Sequence, residues 1–242
     1  KSKPVNWCMF HFKQFSVDQS GCAMKINTDG VLLGAITEAV DPKTILDIGT
    51  GTGVIALMLA QRFINAKIDA VEIDESAAKT AGRNFESSVF HDRLNIYSSS
   101  IEAFFEKYPD KKYDLIVSNP PFYVDSLKPP GAKKALAKHT DIDFFETLIS
   151  KISVGLNPAG LCWLVLPMSL REQVVEYAEI NGLHVQDVIE VRSYQESTPH
   201  RMIINLSPVD ILFVESEITI YKSKGVYSEM YRALLQPYFL AF

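Results

Sequence analysis

The chain has 242 residues, 47% hydrophobic and 22% charged, which is the composition and size of one globular α/β domain with additions. Its net charge of −5 counts against a nucleic-acid binder with a uniformly basic face and leaves room for a local basic patch. No apolar run approaches the ~20 residues of a membrane span, Lys1–Trp7 lacks the apolar core of a signal peptide, and Cys8, Cys22, Cys162 and the five histidines are too dispersed for a disulfide framework or a metal site, the pattern of a cytoplasmic protein with reduced thiols.

In chain order, Phe10–Val17 is rich in strand formers, Asp18–Gly21 is turn chemistry, and Cys22–Ile26 follows, which predicts a short N-terminal β-hairpin. Thr28-Asp29 reads as a helix cap before Gly30–Ala39. A strict alternation follows. Strands are predicted at Thr44–Ile48, Lys67–Glu72, Leu94–Tyr97, Tyr113–Ser118 and Leu161–Leu166. Helices are predicted at Val54–Phe63, Glu75–Phe85 (opened by Asp74), Ile101–Lys107, Ile142–Leu156 and Leu170–Asn181, with a loop from Asn119 to about Asp141. Strands this short and apolar on both faces belong inside a parallel sheet, so the fold class is α/β, a doubly wound, mostly parallel sheet. His184–Val191 and Arg201–Leu206 predict an antiparallel hairpin on the sheet edge. Asp210–Val214 and Glu217–Tyr221 are strand-like, and Tyr227–Leu235 is helical. Without repeats or an interdomain linker, residues 1–242 read as a single domain: 1–40 hairpin and helix, 41–182 core, 183–242 edge strands and helix.

Asp47-Ile-Gly-Thr-Gly-Thr-Gly53 joins the first core strand to its helix. Gly49, Gly51 and Gly53 permit a tight turn and close backbone approach to a ligand at a helix N-terminus. The spacing is Gly-x-Gly-x-Gly, not the Gly-x-Gly-x-x-Gly of dinucleotide sites. Asp47 before the glycines is poorly placed beside a pyrophosphate and well placed for the cationic amino group of a methionine moiety, which favours S-adenosylmethionine. Glu72 ends the next strand, where an acid accepts hydrogen bonds from ribose hydroxyls, and Ile73 is positioned to cover the adenine. The bland alternative is a strand–helix turn with Glu72 or Asp74 capping a helix.

Asn119-Pro120-Pro121-Phe122 ends the fourth parallel strand. The Asn119 side-chain oxygen and the Pro120 carbonyl offer two acceptors to a planar amino group, and Phe122 offers a stacking face. Holding both protons directs the nitrogen lone pair toward a sulfonium methyl. The prolines fix the turn, and a bare proline turn ending a strand is the alternative. Lys128, Lys133, Lys134, Lys138 and His139 follow without an intervening acid, a candidate loop for phosphate contacts that Arg192, His200 and Arg201 would extend. Ordinary solvated lysines are the alternative there.

These motifs resemble the S-adenosylmethionine-dependent N6-adenine methyltransferases, and most of all the bacterial tRNA(Val) adenosine-37 N6-methyltransferase family. The resemblance runs through Phe12–Phe15, Lys25–Gly34, Asp47–Gly53, Val71–Asp74, Asn119–Phe122, Glu190–Arg192 and Tyr227–Leu234. It implies a Rossmann-like methyltransferase sheet. It also implies a cofactor held by Asp47, Gly49, Thr50, Gly51, Gly53, Glu72, Ile73, Ser100, Ile101 and Asn119, with Lys25 and Thr28 near the methionine carboxylate. The target base would be gripped by Asn119, Pro120 and Phe122 in the anticodon loop of a tRNA bound to a monomer or weak homodimer. One departure is Ser100, where such families often carry an acid for the adenine amino group; serine accepts only a weaker, uncharged bond. Alternatives on the same site are a glutamine N5-methyltransferase, an rRNA amino-group methyltransferase and a non-catalytic cofactor-binding module.

Overall fold

The computed structural model describes residues 8–22, 25–121 and 133–242, with side chains from residue 144 onward in the last stretch. Strands β1 (Met9–His11) and β2 (Ser16–Asp18) form an antiparallel hairpin with Met9 opposite Asp18. Its turn is Phe12–Phe15, closed by the Phe12 N–H donating to the Phe15 carbonyl at 2.9 Å, not the predicted Asp18–Gly21. The reason is burial. Phe12 and Phe15 stack with ring centroids 4.5 Å apart inside the core, so apolar packing outweighs the turn chemistry of the later segment. Cys22 and Lys25–Asn27 form no strand. Helix α1 (Thr28–Ile36) is capped one residue earlier than predicted, with Asn27 Oδ1 accepting from the Gly30 N–H at 2.9 Å.

The alternating section runs β3 (Thr44–Ile48), α2 (Val54–Arg62), β4 (Lys67–Glu72), α3 (Glu75–Glu86), β5 (Leu94–Ser98), α4 (Ile101–Lys107), β6 (Tyr113–Ser118), α5 (Lys133–Gly155), β7 (Leu156–Pro167), α6 (Arg171–Ile180), β8 (His184–Arg192) and β9 (Arg201–Ser207). It is followed by β10 (Val214–Thr219), β11 (Tyr221–Ser223), β12 (Val226–Tyr227) and α7 (Glu229–Leu235). The eight-stranded sheet has the order β10-β8-β9-β7-β6-β3-β4-β5. The chain runs outward from β3 through β4 to β5, then crosses back to β6 on the other side of β3. Order reverses there, and the crevice above the carboxyl ends of β3 and β6 is where such sheets bind ligands. Strand β9 pairs antiparallel with both β7 and β8, and β10 adds a parallel strand outside that hairpin.

Helices α1, α2, α3 and α7 pack on one face of the sheet and α4, α5 and α6 on the other. Every residue of α2 from Val54 to Ala60 is buried. Its fully buried Leu57, Met58 and Leu59 each contribute on the order of 1.5–3 kcal/mol by leaving water, which anchors the loop before the helix. Three boundaries differ most from expectation. Helix α5 begins at Lys133, not Ile142, because Lys133–Lys138 is a run of strong helix formers. Strand β7 begins at Leu156 and absorbs Asn157–Gly160 through a register shift against β6. Residues 210–213 form no strand, and β10 alone extends the edge.

Candidate active site

The glycine loop is clamped onto the end of β4. The Gly49 and Thr50 N–H groups donate to the Val71 carbonyl at 2.8 and 3.2 Å, and the Gly51 N–H donates to Glu72 Oε2 at 2.8 Å. Gly51 and Gly53 have φ of 57° and 82°, a conformation that side chains rarely adopt. They differ in surroundings. A Cβ on Gly53 would lie 2.5 Å from Phe85 Cε1, whereas a Cβ on Gly51 would meet nothing within 4 Å. Gly53 is therefore required by packing, and Gly51 keeps open the space above the loop.

Asp47 lies fully buried beneath that loop. Its Oδ2 accepts from Thr50 Oγ1 at 2.6 Å, and Oδ1 has no hydrogen-bond partner among the described residues. Burial pushes the carboxyl up to about 7, opposed by the Thr50 hydroxyl and the Ala56 N–H and reinforced by the charge of Glu72. Glu72 is also buried, with Oε1 accepting from the Asp74 N–H at 2.9 Å. Each Glu72 oxygen keeps a lone pair beyond its backbone bond, so the clamp leaves capacity for hydroxyl donors.

On the other side of the crevice, Ser118 Oγ donates to the Ile48 carbonyl at 2.8 Å and fixes β6 against β3 at its tip. Asn119 follows, half-buried, then buried Pro120 and exposed Pro121, and the described residues contain no cis peptide bond. The Asn119 carboxamide nitrogen lies 3.5 Å from where Gly30 would carry a Cβ, so α1 approaches the turn with its glycine facing it. No described residue hydrogen-bonds to that carboxamide. Asp29, next to Gly30, accepts from Arg201 Nε at 2.9 Å, which fastens the start of α1 to the start of β9.

Gly49, Gly51, Glu72, Ile73, Ser100, Ile101, Asn119 and Pro120 line one cleft of about 330 Å³. Asp47, Thr50 and Gly53, buried in or beside the glycine loop, are not in its lining, and neither are Lys25 and Thr28. Ser100 Oγ caps α4, accepting from the Ala103 N–H at 3.2 Å, and its hydroxyl proton stays available to the cleft. Phe122 and Lys128 lie outside the described residues, as do the side chains of Lys133, Lys134, Lys138 and His139, whose backbones open α5. Arg192 and Arg201 stand on the same sheet edge as Asn119, each already held by a carboxylate: Arg192 by Glu217 at 2.7 Å and Arg201 by Asp29. Sequence reading missed Glu102, Phe144, Thr147 and Leu148, which also line the cleft. The last three share an i, i+3, i+4 face of α5, a spacing visible in the sequence.

The donor set fits S-adenosylmethionine on two counts. A buried carboxylate oxygen lacks a donor, as an ammonium ligand would supply, and an acid with spare lone pairs stands at the end of the next strand. Among the described residues no cluster of His, Cys, Asp or Glu suits a metal ion, and no helix is long and apolar enough to cross a membrane.

The family described as methyltransferase small domain matches residues 26–180. A tRNA1(Val) (adenine(37)-N6)-methyltransferase of Pedobacter heparinus is 47% identical over 233 residues, covering 96% of this chain and 98% of that protein. Its counterpart of the same name in Flavobacterium psychrophilum is 41% identical over 239 residues, covering 96% and 99%. In three dimensions the chain is similar to a predicted O-methyltransferase of Agrobacterium tumefaciens, with a TM-score of 0.68 at 16% identity over 87% of this chain and 96% of that one. At that identity the likeness concerns the fold alone.

Proposed function

This chain belongs to the tRNA1(Val) (adenine(37)-N6)-methyltransferase family, and on that footing we propose that it transfers a methyl group from S-adenosylmethionine to the exocyclic N6 of adenosine 37 in the anticodon loop of tRNA(Val). One observation carries the assignment of roles. Asn119 and Pro120, the acceptors for an amino group, line the same cleft as Gly49, Gly51 and Glu72, the elements suited to a nucleoside cofactor.

When bound, S-adenosylmethionine supplies an electrophilic methyl on a positively charged sulfur. The chain's own residues do the rest. Asp47 behind the loop supplies the negative charge that balances the ammonium group, Glu72 takes ribose hydroxyls, and Ile73 and Ile101 enclose the adenine. No described residue holds the Asn119 carboxamide, so its Oδ1 is free to turn toward an incoming amino group. Together with the Pro120 carbonyl it accepts both N–H bonds, so the lone pair of a weakly nucleophilic nitrogen is turned toward the methyl. Phe122 stacks on the base. No general base is assigned, because the methylated nitrogen is acidic enough to lose its proton to water. The cationic run Lys128, Lys133, Lys134, Lys138 and His139 follows this turn and is suited to phosphates. An anticodon-loop base is already unpaired, so extruding it falls at the low end of the few kcal/mol that base flipping costs.

The test is incubation with labelled S-adenosylmethionine and unmodified tRNA, followed by digestion to nucleosides. Label in N6-methyladenosine is expected. Asn119→Ala is expected to retain cofactor affinity within about fivefold while transfer falls by at least ~10²-fold, the range seen when a transition-state acceptor is lost. Label confined to protein, or substantial turnover by the variant, overturns the assignment.

A further inference from the structure

Beyond β8 the chain returns along the carboxyl edge of the sheet as the hairpin β11–β12, which takes no part in the cleft. The Ile220 N–H donates to the Arg192 carbonyl at 3.0 Å and the Tyr221 N–H to the Ser193 carbonyl at 2.9 Å, so the hairpin prolongs the pairing of β8 past the sheet. Because β8 and β6 run parallel, this is the end of the sheet that carries Asn119. Strand β8 lies three positions from β6, about 14 Å at the usual ~4.8 Å strand spacing.

A column of four tyrosines runs through this hairpin. Tyr194 and Tyr221 have centroids 5.6 Å apart, Tyr221 and Tyr227 stack at 5.1 Å, and Tyr227 and Tyr231 stack at 4.8 Å. Tyr231 is buried, whereas Tyr194 is 37% exposed, so the column is rooted in the core and open at its end. Lys222 and Lys224 lie on the same hairpin, Lys222 directly after Tyr221 and Lys224 at its turn, both exposed and neither in an ion pair among the described residues. The arginines nearby are different: Arg171 and Arg192 are held by Glu215 and Glu217 at 2.6 and 2.7 Å. Cations with acidic partners fasten the edge strands together, while the two lysines have no structural duty on this side. An open aromatic ring packed on a hairpin that carries two exposed lysines, on an otherwise acidic protein, matches the chemistry of unpaired RNA, with bases for the ring and phosphates for the ammonium groups.

We propose that Tyr194, Lys222 and Lys224 form a second RNA-contact surface that takes an unpaired nucleotide near the methylated one, its base on Tyr194 and its phosphates on the lysines. This surface rests on the tRNA reading of the function given above. It positions substrate and touches neither cofactor nor reacting atoms.

The test measures kcat and KM for unmodified tRNA(Val), and S-adenosylmethionine affinity, in Tyr194→Ala, Tyr194→Phe and the pair Lys222→Gln/Lys224→Gln. Tyr194→Ala is expected to raise KM about 5- to 150-fold, the range for loss of one base–aromatic stack, and Tyr194→Phe to restore it. The lysine pair is expected to raise KM and to flatten the salt dependence of tRNA binding by about 1.4 in logarithmic slope, two single-strand phosphate contacts. Throughout, kcat and cofactor affinity are expected to stay within about twofold, as befits uniform substrate binding. Wild-type KM and salt slope in all the variants, with an active wild type, overturn this surface alone. A wild type that methylates no tRNA overturns the functional reading and this occupant with it.

Discussion

Glu72 accepts the backbone N–H of Gly51 at 2.8 Å, which makes the acid at the end of β4 and the glycine loop after β3 one mechanical unit. The two residues stand 21 apart in sequence, and the bond sets the height of the loop over the cleft. The second Glu72 oxygen holds the Asp74 N–H, so the same side chain starts α3 as well. Glu72→Ala would leave two backbone donors without partners, each costing about 1–3 kcal/mol where water cannot replace the acid. Thermal unfolding is expected to shift down by several degrees, and calorimetric titration to show S-adenosylmethionine affinity reduced at least ~10-fold. Glu72→Gln, which keeps one acceptor, should fall between. Wild-type affinity in the alanine variant would show that the acid serves only the fold.

Asp47 gives the protein a specific pH response. Its folded value of about 7 exceeds the ordinary 3.8, so between those values the native state binds more protons than the unfolded chain. Its contribution to stability is therefore fully present below about pH 4 and lost as pH rises through about 7. Binding an ammonium group requires the ionised form, so the effect on the ligand has the opposite sign. Affinity for S-adenosylmethionine is expected to strengthen from about pH 5.5 to about pH 7.5, by up to tenfold per unit, with a proton released on binding in the lower part of that range. Asp47→Asn should abolish both the affinity slope and this part of the stability slope. A pH-independent wild-type affinity would show that the carboxylate does not meet the cofactor's charge.

The loop glycines separate packing from ligand space. At Gly53 an alanine Cβ would sit 2.5 Å from Phe85 Cε1 in a backbone already at φ 82°. Gly53→Ala is expected to cost several kcal/mol, since the left-handed conformation alone costs roughly 1–2 and Phe85 is buried and must move. At Gly49, φ is 71° and nothing lies within 4 Å of the added methyl, so Gly49→Ala should cost only the conformational part. Denaturant unfolding without ligand is expected to rank Gly53→Ala well below Gly49→Ala. If the free space above Gly49 is filled by the cofactor, Gly49→Ala should still lose affinity for it. Equal stability loss at the two positions would remove the distinction.

Local signals made most of the core legible. Strands β3, β4 and β6 were readable to the residue, because each is an apolar run closed by glycine, acid or Asn-Pro at its carboxyl end, and those closures are the site residues themselves. The turn of the first hairpin was not readable, since the preference of Phe12 and Phe15 for each other depends on a core that forms only with α7 and the C-terminal segment. The start of α5 was hidden by the proline turn before it: Lys133, Lys134, Lys138 and His139 read as part of a loop where the helix propensity of Lys, Ala and Leu prevails. Arg192 and Arg201 looked like members of a basic patch, because their acidic partners come from distant elements. Asp29 and Arg201 are 172 residues apart, and periodicity carries no information at that separation.

That pair also predicts how α1 serves the reactive turn. Asp29 and Arg201 are each about one-fifth exposed and meet at 2.9 Å, so the bond is partly shielded from solvent and worth more than an ordinary surface pair. Its effect is positional. It fixes the first turn of α1, where a Cβ on Gly30 would already touch the Asn119 carboxamide, 3.5 Å away. Asp29→Ala and Arg201→Ala are expected to lower kcat about 3- to 30-fold with cofactor affinity nearly unchanged, since a displacement near 1 Å of a positioning element costs up to ~10²-fold. The double variant should lose little more than either single one, giving a coupling of about 1–2 kcal/mol in a double-mutant cycle on kcat. Strictly additive losses would show that the two side chains act separately, with Arg201 serving RNA phosphates and Asp29 serving only the helix start.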